Sequence, residues 1–248
     1  MTFNPEVIKK SKKIKVLLKP IFELFVKITI SGAENIPEDS PCLLISNHRS
    51  DMDPWCLSIM IPRHICWIAD DYLFKIPLIG KFMDEMAAIP ISDKKSDIIA
   101  AFRMSRSAFK NNQIVGIFPE GHDTITKHLQ HLELGEFHSG FAEFALRLKV
   151  DILPAVIISQ KEKFGPIPVP KAFRKLVMHL PDDVVKTDQR LIYEKVHVHY
   201  GKPVSIKKYL ETAENPEQFE SALSELKSDM HALMLDMIRK VKEEKKIP

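Results

Sequence analysis

Long apolar runs, paired cysteines and an excess of charge of one sign are all missing from this chain. No stretch reaches the roughly 18 to 20 uncharged apolar residues that a membrane-spanning helix needs. The only cysteines, Cys42, Cys56 and Cys66, are odd in number and form no C-x-x-C pair. That argues against a disulfide framework or a zinc ribbon and points to reduced thiols in a cytoplasmic compartment. The net charge of +3 is too small to argue for a nucleic-acid partner. The N-terminal apolar residues are broken up by lysines and no small-residue cleavage site follows, so a signal peptide is not expected. These absences lead to the expectation of a soluble or monotopic protein.

With 248 residues, 45% of them hydrophobic and 28% charged, the chain can bury a full core, and disordered and fibrous classes drop out. No repeat and no linker interrupts it. One domain is therefore expected over residues 31–248, preceded by a distinct segment at 1–30. In that segment Lys9, Lys10, Lys12, Lys13, Lys15 and Lys19 alternate with Ile8, Ile14, Val16, Leu17, Leu18, Ile21, Phe22, Leu24, Phe25 and Ile28. Pro20 is predicted to kink or divide a helix there. Such a basic amphipathic segment fits a membrane interface, where lysines meet anionic head groups, and fits equally a surface helix packed on its own domain.

Hydrophobic periodicity predicts strands at 43–46, 65–69, 87–91, 113–118, 152–158 and 195–200. Helices are predicted over 55–60, 96–110, 136–149 and a last one beginning at Asn215-Pro216-Glu217. Residues 164–181, rich in proline, read as an irregular flap. The alternation implies an α/β fold: a mixed, largely parallel sheet flanked by helices.

Two stretches stand out because each follows an apolar strand, where open α/β sheets bind ligands. The first is Asn47-His48-Arg49-Ser50-Asp51-Met52-Asp53-Pro54. His48 and Asp53 are five positions apart, about 140° on a regular helix, so within one helix they would not face each other. If Asp53 caps the helix that Pro54 opens, His48 lies in the preceding loop and can fold back over its first turn. An imidazole so placed can take a proton from a hydroxyl while a carboxylate on its other nitrogen fixes the tautomer. Asp51 is an alternative partner, and a capping aspartate beside a surface histidine would give the same spacing without any chemistry. The second stretch is Phe118-Pro119-Glu120-Gly121. No serine or cysteine has the G-x-S-x-G context of a covalent nucleophile. His122, His128, His131 and His138 match no zinc spacing, so no metal is expected.

Asn47-His48, then Asp53, then Phe118-Pro119-Glu120-Gly121 resemble the first and third motifs, NHxxxxD and FPEG, of lysophospholipid acyltransferases of the 1-acylglycerol-3-phosphate acyltransferase type. The resemblance extends to Phe137, Gly140, Pro154 and Gly201-Lys202-Pro203, and covers roughly residues 25–205. It implies transfer of a fatty acyl group from acyl-CoA or acyl-carrier protein to a lysophospholipid hydroxyl, with no acyl-enzyme and no cofactor besides that donor. It further implies His48 as the base and Asp53 as its orienter. Asn47, Arg49, Phe118, Pro119, Glu120, Gly121 and His122 would line the substrate site, on a protein held peripherally or monotopically at the cytoplasmic side of a membrane.

The chain departs from the family at two places that serve one purpose. Where FPEG is usually followed by Thr-Arg, this sequence has His122-Asp123. Where the second motif ends in arginine, it has Ile89-Pro90-Ile91-Ser92-Asp93-Lys94-Lys95. An arginine fork matches phosphate oxygens bidentately, whereas an aspartate there repels a dianion. Either Lys94, Lys95, Lys81, His122 or Lys127 supplies the charge, or the acceptor carries no phosphate monoester; Asp123 tilts the reading toward an altered acceptor. A non-catalytic lipid-binding or scaffold protein on the same fold is the competing reading, and a thioesterase a minor third.

Overall fold

A computed structural model describes residues 5–121, 133–166, 189–213 and 215–247, with the isolated positions Lys175, Asp182 and Lys186. The short apolar runs form the sheet. Its strands are β1 (Lys27–Ser31), β2 (Cys42–Ser46), β3 (Ile65–Asp70), β4 (Ile89–Ile91), β5 (Ile114–Ile117), β6 (Ile152–Pro166) and β7 (Gln189–Tyr200). They lie in the order β1-β7-β6-β2-β5-β3-β4. Every neighbouring pair is parallel except β6 with β7. The mixed, largely parallel α/β sheet expected from the sequence is therefore present.

Because side chains alternate across a strand, each central strand feeds two cores. Leu43 and Ile45 of β2, with Val115 of β5, join the side covered by α5 (Lys95–Lys110), α6 (Gly140–Leu148) and α8 (Pro216–Lys245). Leu44 and Ile114 join the other side, with Cys56 and Leu57 of α2 (Asp53–Ser58) and Tyr193, Val196 and Val198 of β7. Fully burying a leucine or isoleucine is worth about 1.5–3 kcal/mol, so strands apolar on both faces are what a doubly covered sheet requires. Met230, Met234 and Met237 pack in the α8 core. Three shorter helices, α3 (Asp71–Lys75), α4 (Ile79–Glu85) and α7 (Lys207–Glu211), complete the frame.

Several local expectations are corrected. The N-terminal helix, α1 (Pro5–Phe25), runs through Pro20 without dividing. The carbonyl that Pro20 leaves without an N–H partner belongs to Val16, a residue 71% exposed, where water can take its place. Strand β1 pairs with β7 from Lys27 to Ser31 and so spans positions 30 and 31. Helix α6 starts at Gly140, so Phe137 lies before it, buried and edge-on to Phe141 and His231.

Strand β6 continues well beyond 158. From Lys161 to Pro166 it forms, with Gln189 to Lys195 of β7, an antiparallel arm that extends past β2, with irregular register between Ser159 and Glu162. The polar run Ser159-Gln160-Lys161-Glu162-Lys163 hides this extension from a reading based on apolar runs, because the bulge re-aims side chains and the outer part is solvated. Apart from Phe164, Gly165, Pro166 and Lys175, the flap expected at 164–181 lies outside the described residues.

Candidate active site

Strands β2 and β5 are neighbours in parallel register, with Ile45 opposite Ile117. The residues that follow them therefore leave the same edge of the sheet side by side. That brings the His48 ring onto the Phe118 ring at a centroid distance of 4.1 Å and an interplanar angle of 15°. Phe118 in turn stacks on Trp67 of β3 at 4.6 Å and 4°. Trp67 donates from Nε1 to Ser58 Oγ at 3.0 Å. It also leaves no room at Gly116, where a Cβ would come within 2.6 Å of the indole. Offset ring stacks of this kind are worth about 0.5–1.5 kcal/mol beyond area burial. Here the stack backs one face of the imidazole.

Asp53 is the hub. His48 Nδ1 lies 2.9 Å from Asp53 Oδ2, with the histidine side chain 16% exposed and the carboxylate fully buried. The same oxygen accepts the backbone N–H groups of Arg49 at 2.7 Å and Ser50 at 2.8 Å, and Oδ1 accepts the Tyr193 hydroxyl at 2.9 Å. Asp53 is not the helix cap expected from the sequence. Met52 occupies that position and Asp53 is the first helical residue, its carboxylate turned back to tie the preceding loop. Of the two aspartates the sequence offered, Asp53 meets His48, while Asp51 faces Arg190 at 3.6 Å.

The other residues expected to line the substrate site are distributed unevenly. Asn47 is buried, and its amide mimics a strand residue: Nδ2 donates to the carbonyls of Glu133 and Ile157, and Oδ1 accepts the Ile157 N–H. The ladder between β2 and β6 is thus prolonged while the main chain turns away. Glu120 is buried too; Oε1 accepts the His48 backbone N–H at 2.9 Å and Oε2 that of Gly135 at 2.8 Å. Arg49 sets its guanidinium against Glu162 of the β6–β7 arm, with two contacts of 3.1 and 2.9 Å. These three polar side chains are therefore engaged in holding the loop. Pro119 is buried, and Gly121 turns the chain at a φ of 61°, a left-handed conformation that glycine adopts without strain.

Lys94 and Lys95 are exposed at the start of α5. Strand β4 runs parallel to β3 and places them at the same sheet edge, beyond its rim and in no described contact with His48. His122, Asp123 and Lys127 lie outside the described residues. The sequence missed Tyr193, Glu162 and Trp67, which come from other strands and belong to no spacing pattern around the motifs.

None of the thiols is poised as a nucleophile. All three are buried, and burial pushes Cys42 and Cys66 up to about 12 and Cys56 still further.

The Acyltransferase family model matches residues 27–158, from β1 to the middle of β6 and including both motifs. The chain belongs to the Acyltransferase family. Among curated relatives of this family chain, an uncharacterized Mycobacterium tuberculosis protein is 28% identical over 170 residues, covering 64% of this chain and 44% of its own length. The chloroplastic 1-acyl-sn-glycerol-3-phosphate acyltransferase BAT2 of Brassica napus is 31% identical over 137 residues, covering 54% and 38%. The chain thus spans about half or less of the length of these relatives. The crystal structure of the 1-acyl-sn-glycerophosphate acyltransferase PlsC from Thermotoga maritima shares the fold, with a TM-score of 0.51 and 19% identity over 92% of this chain and 78% of that one.

Proposed function

We propose that this chain transfers a fatty acyl group from the thioester of acyl-CoA or acyl-carrier protein to the free hydroxyl of a lysophospholipid, lysophosphatidic acid or a related lysolipid. The observation that carries the reading is the 2.9 Å contact between a partly exposed His48 and a fully buried Asp53. Relatives named as 1-acyl-sn-glycerol-3-phosphate acyltransferases from Brassica napus and Borreliella burgdorferi support the acceptor class.

With Asp53 on Nδ1, the Nε2 atom of His48 is the nitrogen left to take the acceptor's hydroxyl proton. The oxygen then adds to the thioester carbonyl, and collapse of the tetrahedral adduct breaks the C–S bond. The imidazolium returns its proton to the departing sulfur. Asp53 steadies the positive charge on the ring during the interval. The buried, hard-to-ionise thiols fit a direct transfer without an acyl-enzyme.

For the acceptor's head group, Lys94 and Lys95 are cations among the described residues at the same sheet edge, with Lys81, His122 and Lys127 as the alternatives the sequence offers; the Arg49 fork is engaged by Glu162. The decisive experiment offers labelled acyl-CoA to a panel of lysophosphatidic acid, head-grouped lysolipids and phosphate-free acceptors. Preference for lysophosphatidic acid supports the lysines as its phosphate contact, and preference for a head-grouped or neutral acceptor supports the altered acceptor. Lipid binding with no turnover on any acceptor would leave a non-catalytic role.

Helix α1 is the proposed membrane contact. No helix among the described residues is long and apolar enough to cross a membrane. Yet Val16, Leu17, Leu24 and Phe25 are each at least 71% exposed, on a helix that also carries Lys12, Lys13 and Lys19. The opposite face is pinned to the domain. Ser11 Oγ meets His64 Nδ1 at 3.1 Å, Lys15 Nζ donates to the Ile61 and Arg63 carbonyls, and Phe22 lies against Trp55 at a centroid distance of 6.2 Å. A helix anchored on one face and apolar on the other suits an anionic bilayer surface. Leu24→Asp with Phe25→Asp is expected to abolish sedimentation with phosphatidylglycerol vesicles; undiminished sedimentation would refute the assignment.

A further inference from the structure

The β6–β7 arm reaches the loop between His48 and Asp53 at every turn. Ser50 Oγ donates to the Leu191 carbonyl at 2.7 Å, Arg49 pairs with Glu162, Asp51 faces Arg190, and Tyr193 Oη donates to Asp53 Oδ1. The last contact differs in kind from the others, because it touches the carboxylate that meets the imidazole. Tyr193 is 1% exposed and belongs to the core cluster that also holds Leu44, Cys56 and Leu57. Its hydroxyl therefore has a fixed origin some 140 positions along the chain from the loop it contacts.

We infer that Tyr193 is a positioning residue for acyl transfer: its hydroxyl, fixed on β7, holds the Asp53 carboxylate so that Oδ2 meets His48 Nδ1. The assignment rests on the acyl-transfer reading of His48. A carboxylate can rotate about its Cβ–Cγ bond, and two backbone N–H groups and the imidazole all converge on Oδ2. Only the Tyr193 donor is described on Oδ1, and it closes the rotation from the other side. Without it Oδ1 is a buried acceptor with no described partner, a loss that costs about 1–3 kcal/mol when water cannot replace the donor. Burial, and then the Asp53 charge beside it, push the phenol well above its ordinary range, so the group stays a donor. The other titratable neighbours are Cys56 on α2, Arg49 with Glu162 on β6, Glu120 after β5, and Asp51 with Arg190 on β7.

The conservative variant Tyr193→Phe removes one oxygen and keeps the packing. Its kcat is expected to fall about ten- to a hundredfold with KM unchanged. The acid limb of its pH–rate profile is expected to move to higher pH, because the less satisfied carboxylate holds the imidazolium proton more tightly. A kcat within twofold of wild type and a superimposable profile would overturn the proposal. A second measurement needs neither turnover nor that variant. The chain has four tyrosines, so labelling with 3-fluorotyrosine gives four fluorine resonances. The one assigned to Tyr193 is expected to shift on Asp53→Asn and to follow the titration of His48; indifference to both would overturn the assignment. If no acceptor is acylated at all, the acyl-transfer reading fails on its own, while the fluorine titration still reports whether Tyr193 and the His48–Asp53 pair are coupled.

Discussion

The loop at 47–53 and the turn at 92–95 both leave the carboxyl ends of strands in one sheet, yet they are built to opposite standards. In the first, Asn47, Arg49, Ser50 and Asp53 are buried and bonded to strands β6 and β7, so the imidazole has little freedom. In the second, Asp93, Lys94 and Lys95 are exposed, and the local hydrogen bonds are those of a turn: Ser92 Oγ to Asp97 at 2.6 Å and the Lys94 N–H to Ser92 Oγ at 3.2 Å. A proton-transfer pair has to be held within a few tenths of an ångström, and rigid surroundings do that. Two lysines on long flexible stems can meet a charged head group without such precision, and a change of acceptor there leaves the chemistry alone.

The comparison predicts a graded series. The largest effect belongs to the pair itself: His48→Ala is expected to lower kcat by about 10²–10⁴, the usual range for loss of a general base, and Asp53→Asn to lower it at least tenfold. Stopped assays of labelled lipid product measure both. Next comes the buttress. Glu120→Gln keeps one acceptor but turns an amide N–H₂ toward one of two backbone N–H donors, so urea unfolding should show a loss of about 1–3 kcal/mol. An unchanged midpoint would mean that Glu120 does not clamp the two motifs. Trp67→Leu, which leaves Phe118 without its backing ring, should lower kcat about tenfold at constant KM. Smallest is the outer turn. Lys94→Ala with Lys95→Ala should raise KM about threefold for a phosphate-monoester acceptor and leave a neutral acceptor untouched, as suits solvent-exposed charge. A larger effect on kcat than on KM would bring the turn into the chemistry and erase the distinction.

The anchor of α1 adds a pH test. Burial holds His64 at about 4, below its ordinary 6.5, and the unfolded chain therefore binds the extra proton between those values. Stability linked to His64 is complete above about 6.5 and is lost as the pH falls toward 4, by up to about 3 kcal/mol. Chemical denaturation from pH 7 to 4 should show this slope, and His64→Gln should flatten it.

How much of this was legible in the sequence depends on whether a feature is local. The strands β2 and β5 are short apolar runs bounded by polar turns, and they could be read directly, as could the helix after Asp53-Pro54. His48 and Asp53 could be paired on paper because the loop between them is short. What escaped was carried by distant chain. Tyr193 lies in the outer half of β7, Gln189–Lys195, which shows no period-two alternation of apolar and polar residues, and Glu162 lies in a bulge that reads as a loop. The misreading of Asp53 as a cap has the same origin. A capping residue and a carboxylate turned back on its loop look alike until the donors around it are known. Asn47 and Glu120 are expected from their motifs to line the substrate site, and the backbone groups of β6, the His48 loop and Gly135 that their amide and carboxylate also meet belong to distant chain.

The central claim, that His48 is the base for acyl transfer to a lysolipid hydroxyl, is tested most directly by thiol release from acyl-CoA with and without lysophosphatidic acid. The wild-type chain should release thiol in an acceptor-dependent manner, and purified, folded His48→Ala should release it no faster than the acceptor-free control. Full acceptor-dependent release by His48→Ala would contradict the account.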